Sequence, residues 1–245
     1  MTVSKMTDIV MTTWNRPEIT YQVIRTLAKN TTTPSRLIVV DNGSEEDMQD
    51  ELIKMNESGL IDKLILLENN IGLEPAKNIG LKEVESEYFI STDNDCLPMK
   101  PDKDGDWLSK LIDLMERHKQ YAAISCRTQV MIGTGNIFDG KEEFDIIQFP
   151  WPGGSLRIMR TDLVKRVGGW NDNIKSRGNE ERYICGELHK LGWETGFAVR
   201  VKCYHMFGNG NWGYLVPPEE HGHNPVCHPA IQNGDDEEEI EKWLS

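Results

Sequence analysis

Two aspartates one residue apart follow an apolar, strand-forming segment. The stretch "FISTDNDCLP" (Phe89–Pro98) places Asp93 and Asp95 directly after this segment. Carboxylates at positions i and i+2 of a loop can turn toward one cavity, where they offer the oxygen ligands that hard divalent cations require. An Asp-x-Asp sequence also commonly stabilises a turn. The pair is therefore a candidate metal site, with a purely structural turn as the alternative.

A second pair of acids could supply a general base. Glu180 and Glu181 begin an amphipathic segment that predicts a helix over Glu180–Leu191, ended by Gly192. A carboxylate at the start of a helix can take a proton from a hydroxyl group. Acids at a helix N-terminus are also favourable through the helix dipole alone.

His205 is the third candidate. It closes the segment "VRVKCYH", at the carboxyl end of a strand predicted over Thr195–Val201. A single histidine in such a place is commonly structural, and metal ligation is the functional alternative.

An alternation of strands and helices must position these groups. Strands are predicted at Asp8–Thr13, Arg36–Asp41, Leu64–Glu68 and Tyr88–Thr92, and helices at Pro17–Lys29, Glu45–Asn56 and Ala76–Glu83, with Ser44 as a cap and Pro75 opening the third helix. This order predicts an α/β fold with a mostly parallel central sheet flanked by helices. Ligands of such sheets bind beyond the carboxyl ends of the strands.

Polar residues cluster at those predicted strand ends. They are Thr12, Thr13, Asn15 and Arg16 after the first strand, Asp41 after the second, and Asp93 and Asp95 after the fourth. The sequence therefore predicts one binding region along this edge of the sheet.

The second half is less regular. A helix is predicted at Trp107–His118, and strands at Ala122–Met131 and Phe144–Gln148. Neither a repeat nor a long linker interrupts the chain. We expect one domain over residues 1–245, with a binding half to about 100, a catalytic half over 101–207 and an extension over 208–245.

Composition excludes several classes of function. The net charge of −13 argues against a nucleic-acid partner, because phosphate backbones are bound by clustered Lys and Arg. No apolar run approaches the roughly 20 residues that span a bilayer, and the N-terminus lacks the apolar segment of a signal peptide. The five cysteines show neither a disulfide framework nor a zinc motif. These features predict a cytoplasmic protein without a membrane span, and an anionic ligand would need a cation to hold it.

Several segments together resemble family 2 glycosyltransferases of the GT-A fold. In order along the chain they are "IVMTTWNRPE" (Ile9–Glu18), "LIVVDNGSEED" (Leu37–Asp47), "NNIGLEPAKNIGL" (Asn69–Leu81), "FISTDNDCLP", "WPGGSLRIMRTDLVKRVGGWNDNI" (Trp151–Ile174) and "GNEERYICGELHKLGW" (Gly178–Trp193). The first loop departs from the family, which usually has Pro-Thr-Tyr-Asn where this chain has Thr-Thr-Trp-Asn. The resemblance covers roughly residues 7–207, and residues 208–245 match nothing we can name.

The resemblance implies a role for each candidate. A Mn²⁺ or Mg²⁺ ion would bind Asp95 and His205, with Asp93 near the ion or the ribose. Asp41 would meet the base of the nucleoside diphosphate sugar, although a turn cap is an equal alternative. Glu181, with Glu180 beside it, lies where the family has its catalytic Asp. The nucleoside pocket would be lined by Thr12, Thr13, Asn15, Arg16, Lys77, Asn78 and Asn94, and the acceptor platform by Trp151, Gly153 and Gly154. A solvated helix lysine is the alternative for Lys77, and a buried core tryptophan is the alternative for Trp151.

The resulting hypothesis is a metal-dependent, inverting transferase that moves a sugar from a nucleoside diphosphate sugar to a carbohydrate or other hydroxyl acceptor. A retaining GT-A enzyme is the nearest alternative. A sugar-1-phosphate nucleotidyltransferase would carry a Gly-rich, basic loop where this chain has "TTWNRPE". A non-catalytic binding module would not need to retain both acid pairs.

Overall fold

The computed structural model describes residues 6–128, 137–138, 140–173 and 180–206. The predicted end of a strand at Met131 and the whole 208–245 extension lie outside these residues.

The first half alternates strands with helices, as the hydrophobic pattern predicts. Its elements are β1 (Thr7–Thr13), α1 (Pro17–Asn30), β2 (Ser35–Asp41), α2 (Glu46–Glu57), β3 (Lys63–Leu66), α3 (Leu73–Lys82) and β4 (Tyr88–Asp93). The four strands pair in parallel in the order β3-β2-β1-β4. Each helix therefore returns the chain to the same edge of the sheet, where the next strand begins.

The second half completes the sheet with mixed pairing. Its elements are β5 (Cys96–Pro98), α4 (Trp107–Arg117), β6 (Tyr121–Thr128), β7 (Ile146–Gln148), β8 (Arg157–Arg160), α5 (Thr161–Arg166), α6 (Glu180–Lys190) and β9 (Glu194–His205). The sheet continues as β4-β8-β6-β9-β5, and β7 also pairs with β9. Among the described strands of this half, β6 and β9 pair in parallel and the other pairings are antiparallel. The α/β class is confirmed, and the parallel arrangement belongs mainly to the first half.

Helices cover both faces of the sheet because its strands are apolar on both sides. In β1, Ile9 and Met11 pack with Val23 of α1 in one core, whereas Val10 packs with Leu81 of α3 in the other. The first core also holds residues of α2 and α4, and the second holds residues of α5 and α6. Alternate residues of a strand thus serve opposite layers.

Local details differ from the sequence-based expectations. Ser44 does not cap α2, since Glu45 is its N-cap residue and no side chain bonds there. The Ser44 hydroxyl instead donates to Asp41. Helix α3 begins at Leu73, two residues before Pro75. Three short elements, namely β5, β8 and α5, are not predicted by the hydrophobic pattern.

None of the helices in the described ranges is long and apolar enough to cross a membrane. Four of the cysteines, Cys96, Cys126, Cys185 and Cys203, lie in the described part as free, buried thiols.

Candidate active site

Strand register brings the predicted site residues to one edge of the sheet. Thr13 of β1 pairs with Asp41 of β2, and Thr12 pairs with Asp93 of β4. Farther along the sheet, the antiparallel pairing of β5 with β9 sets His205 opposite Cys96. The short β5 strand is therefore what joins the Asp-x-Asp segment to the end of the chain's last described strand.

Asp95 and His205 form the candidate metal centre. The His205 Nε2 atom lies 3.2 Å from Asp95 Oδ1, and Arg16 Nη1 lies 3.2 Å from Asp95 Oδ2. One ligand atom each from Asp95, His205 and Cys96 can be chosen so that all three lie within 4.8 Å of one another. A carboxylate and an imidazole at this spacing suit a divalent transition metal such as Mn²⁺.

The electrostatics of this cluster favour a charged Asp95. Burial alone would raise the pKa of the Asp95 carboxyl, but His205 and Arg16 hold it well below its ordinary value. Burial lowers the pKa of His205, and its contact with Asp95 more than reverses that effect, so the net shift is upward. A metal ion binding here must therefore displace a proton from His205 when that residue is charged.

A second group of charges surrounds Gly154. Lys77 Nζ lies 3.3 Å from Asp93 Oδ1, close enough for Coulombic attraction but not aligned for a hydrogen bond. A Cβ atom added to Gly154 would lie 3.2 Å from Glu181 Oε1, 3.4 Å from Asp93 Oδ2 and 3.7 Å from Lys77 Nζ. The absent side chain of Gly154 thus leaves a small space that three charged groups face.

The two glutamates at the start of α6 differ in protonation. Burial and the neighbouring Glu181 raise the pKa of Glu180 to about 7. Burial also raises the pKa of Glu181, but Lys77 and Arg157 outweigh it, so the net pKa falls below its ordinary value. Glu181 is therefore ionised at neutral pH, as a general base must be, whereas Glu180 is still partly protonated there.

Hydrogen bonds to backbone carbonyls fix the turn that carries Gly153 and Gly154. Ser125 donates its hydroxyl to Gly153 O at 2.5 Å, and Arg157 Nη1 donates to Pro152 O at 3.1 Å. Leu156 closes the turn with a φ of 44°, a left-handed conformation that is uncommon for leucine. Both fixed carbonyls hold the backbone at Gly154 over the acids.

Trp151 stands at the outer side of this turn. Its side chain is 44% exposed, and the Arg182 guanidinium lies 5.1 Å from its ring centroid. Phe149 packs edge-on against it, with ring centroids 6.2 Å apart. A supported but exposed indole is a suitable stacking surface for a sugar face.

Other predicted site residues use their polar side-chain atoms for hydrogen bonds within the protein. Asp41 is fully buried and accepts hydrogen bonds from Ser44 and Gln49. Asn78 exchanges hydrogen bonds with the backbone of Trp170. Asn94 donates to the hydroxyls of Thr13 and Thr20. These side chains shape the region, and their polar groups do not point freely into it.

The first loop is also internally bonded. Asn15 Oδ1 accepts from Glu45 N, and Asn15 N donates to Ser44. Asn15 and Arg16 both adopt left-handed backbone conformations, with φ of 52° and 59°. The Thr12 hydroxyl is buried and has no hydrogen-bond partner among the described residues. This loop turns sharply so that Arg16 reaches Asp95.

Arg157 is the candidate that the sequence analysis missed. It is fully buried and contributes to the pKa of Lys77, Glu181 and Cys185. The available signal was a cation within an apolar strand, "RIM", directly after the Gly-Gly turn.

Residues 8–179 match the sequence profile of glycosyl transferase family 2. The chain belongs to this family. As a family 2 glycosyltransferase it shares its fold with the mannosyltransferase PcManGT of Pyrobaculum calidifontis, solved with GDP-Man and Mn²⁺, at a TM-score of 0.69 and 19% identity over 87% of this chain. It is similar to GalNAc-T7, solved with UDP, GalNAc and Mn²⁺, at a TM-score of 0.68 and 14% identity over 86% of this chain. S. aureus TarS with UDP gives a TM-score of 0.62 and 17% identity over 82%.

A curated relative also matches this family 2 glycosyltransferase. The teichoic acid poly(glycerol phosphate) polymerase of Staphylococcus epidermidis is 32% identical over 96 residues, which make up 38% of this chain and 13% of the relative. The chain spans 59%, 45% and 60% of the three solved structures, so it is shorter than each of them. These comparisons confirm the predicted family and the GT-A fold.

Proposed function

We propose that this glycosyltransferase moves a sugar from a nucleoside diphosphate sugar to an acceptor hydroxyl, with metal assistance and inversion at the anomeric carbon. The observation that carries the proposal is the position of Asp93. Its carboxylate lies with that of Glu181 around Gly154 and also acts on the pKa of His205, so Asp93 links the candidate base with the candidate metal centre.

Asp95 and His205 would hold the metal, which supplies positive charge to the diphosphate leaving group when bound. Arg16, which pairs with Asp95, and Lys77, which pairs with Asp93, add positive charge to the site. Binding of an anionic donor by a chain with a net charge of −13 depends on this local concentration of cations.

Glu181 would take the proton of the acceptor hydroxyl. It is ionised and faces the space at Gly154, where Trp151 can orient the acceptor from the outer side. Glu180 retains its proton over most of the acidic range and supports Glu181 by hydrogen bonding. Attack on the face opposite the diphosphate would invert the configuration.

Donors of the neighbours support the substrate class. One neighbour was solved with GDP-Man and Mn²⁺, and two others with UDP. The base and the sugar are selected by loop contacts that no single residue here identifies.

The test begins with a thermal-shift screen of UDP, GDP, CDP and dTDP, each with and without Mn²⁺. We expect one nucleotide to raise the melting temperature in a metal-dependent manner. The corresponding sugar nucleotides then enter hydrolysis and transfer assays, and NMR of the product's anomeric proton gives the stereochemistry. A retained configuration would replace the inverting mechanism, and metal-independent binding of every nucleotide would contradict the metal role.

A further inference from the structure

Arg157 is a buried cation whose hydrogen-bonding capacity is mostly unused. The side chain is 0% exposed, and Nη1 donates to Pro152 O at 3.1 Å. Its Nε and Nη2 atoms have no hydrogen-bond partner within the described ranges. A guanidinium keeps its charge under all ordinary conditions, so burial of this group requires nearby negative charge.

The Glu181 carboxylate, at the start of α6, is a negative charge that interacts with Arg157. Arg157 and Lys77 are the two cations that act on Glu181, and Arg157 also opposes the charge of Lys77. Among the described residues, Glu180 on the same helix, Lys77 from α3 and Arg157 from β8 act on the pKa of Glu181, and Asp93 from β4 lies beside it at Gly154. Lys77 is shared, because its ammonium lies 3.3 Å from Asp93. Within the residues that the structure describes, Arg157 has no such carboxylate partner by hydrogen bond.

Two adjacent buried carboxyl groups do not both ionise readily, and local cations decide which of them keeps the proton. On the Glu180 side, Oε2 is buried without a hydrogen-bond partner in the described part of the chain. On the Glu181 side stands the fixed charge of Arg157. The same guanidinium also holds the carbonyl of Pro152, at the beginning of the turn that covers Glu181.

We propose that Arg157 is a positioning residue that keeps Glu181 as the ionised member of the Glu180–Glu181 pair and holds the Pro152–Gly154 turn over it. Glu181 as the base is part of the proposed function, on which this inference rests for its catalytic meaning. The electrostatic claim itself concerns only the folded chain and can be measured without a substrate.

The test follows the side-chain carboxyl carbons by NMR during a pH titration, with the Glu181 signal assigned by its loss in Glu181→Gln. In the parent protein, Glu181 should titrate below the ordinary glutamate value and Glu180 above it. In Arg157→Met, which removes the charge and keeps an unbranched side chain in place of the aliphatic part of arginine, the Glu181 midpoint should rise by about 1 pH unit or more. Arg157→Lys should restore most of the difference, because it restores the charge.

Arg157→Gln is the second neutral variant, since its amide can still donate toward Pro152 if loss of that contact prevents the Met variant from folding. A Glu181 midpoint that stays at the parental value in a folded neutral variant would overturn the proposal. A parental Glu181 that titrates at or above the ordinary value would overturn it without any variant.

Transfer kinetics separate this proposal from the proposed function. If Glu181 is the base, the acidic limb of the kcat profile should move upward with the NMR midpoint in Arg157→Met, while the KM for the donor changes little. If the parent transfers no sugar, or Glu181→Gln transfers at the parental rate, the proposed function fails, and the NMR titration still decides the role of Arg157.

Discussion

Lys77 and Asp93 form an ion pair beneath the site, with Nζ 3.3 Å from Oδ1 and only 1% of the lysine side chain exposed. Burial lowers the pKa of Lys77, but Asp93 and Glu181 raise it further, so the ammonium stays charged. This buried charge connects helix α3 with the carboxyl end of β4 and with the start of α6.

Replacing Lys77 with Met should therefore destabilise the protein. The change leaves Asp93 and Glu181 without a shared cation, and we expect a loss of about 1–3 kcal/mol in the free energy of unfolding, reduced by the partial exposure of Asp93. Lys110→Met is the control, because it removes an ion pair with the exposed Asp102 and should lower the free energy of unfolding much less than Lys77→Met. Urea unfolding of the metal-free proteins gives both values, and equal losses would contradict the special role of Lys77.

Asp95→Ala should abolish metal-dependent nucleotide binding while the fold persists. Asp95 is the common partner of His205 and Arg16, so its removal takes away the carboxylate of the candidate metal centre. Isothermal titration with the nucleotide selected by the screen, with and without Mn²⁺, measures the effect. Asp113→Ala, on the exposed face of α4, is the matched control. An unchanged affinity in Asp95→Ala would remove this residue from the metal site.

Gly154→Ala should impair transfer more than Gly153→Ala. The added methyl group at residue 154 would lie 3.2 Å from Glu181 Oε1, so this carboxylate must shift, and 3.4 Å from Asp93 Oδ2, which is an ordinary contact. A methyl group at residue 153 meets no atom of the described structure within 4 Å. Neither glycine has a positive φ, so alanine brings no comparable backbone strain. Steady-state kinetics of the two variants should show the larger fall in kcat for residue 154, and equal effects would argue against a fit around Gly154.

Short-range patterns in the sequence predicted the β/α alternation and the edge of the sheet that carries Asp93 and Asp95. They could not predict β5, because a three-residue strand ending in Pro98 has no periodicity of its own and exists through its pairing with β9. The amide of Asn78 is another example, since its partner Trp170 is 92 residues away. Such long-range contacts determine whether a polar side chain faces a ligand or the interior.

The environment of Arg157 likewise could not be predicted from short-range sequence patterns. Its position in the chain indicates a cation after a Gly-Gly turn, but its complete burial depends on the packing of β8 between β4 and β6. The separation of Glu180 from Glu181 in pKa likewise depends on cations contributed by α3 and β8.

Glu180→Gln should stabilise the protein at alkaline pH. The folded pKa of Glu180, raised by burial and by Glu181 to about 7, exceeds the ordinary value of the unfolded chain. Its contribution to stability is therefore present below the unfolded pKa and is lost as the pH rises through the folded pKa. The neutral glutamine avoids this loss. As the pH rises from 4 to 8, the free energy of unfolding of the variant should therefore increase by on the order of 1–3 kcal/mol relative to that of the parent. Thermal unfolding at the two pH values checks the sign.

Glu181→Gln tests the chemical step most directly. The change keeps the size of the side chain and removes its basicity, so donor binding should persist while turnover falls by roughly 10²- to 10⁴-fold, the range that general-base catalysis supplies. Glu180→Gln should cost less turnover, because adjacent residues of a helix point about 100° apart and only one can face the acceptor. If Glu180 alone proved essential, the base would be the neighbouring residue and the inverting mechanism would stand. If both variants transferred sugar at the parental rate, no glutamate of α6 would act as base, and a retaining reaction that uses the donor's own phosphate oxygen would explain the activity better.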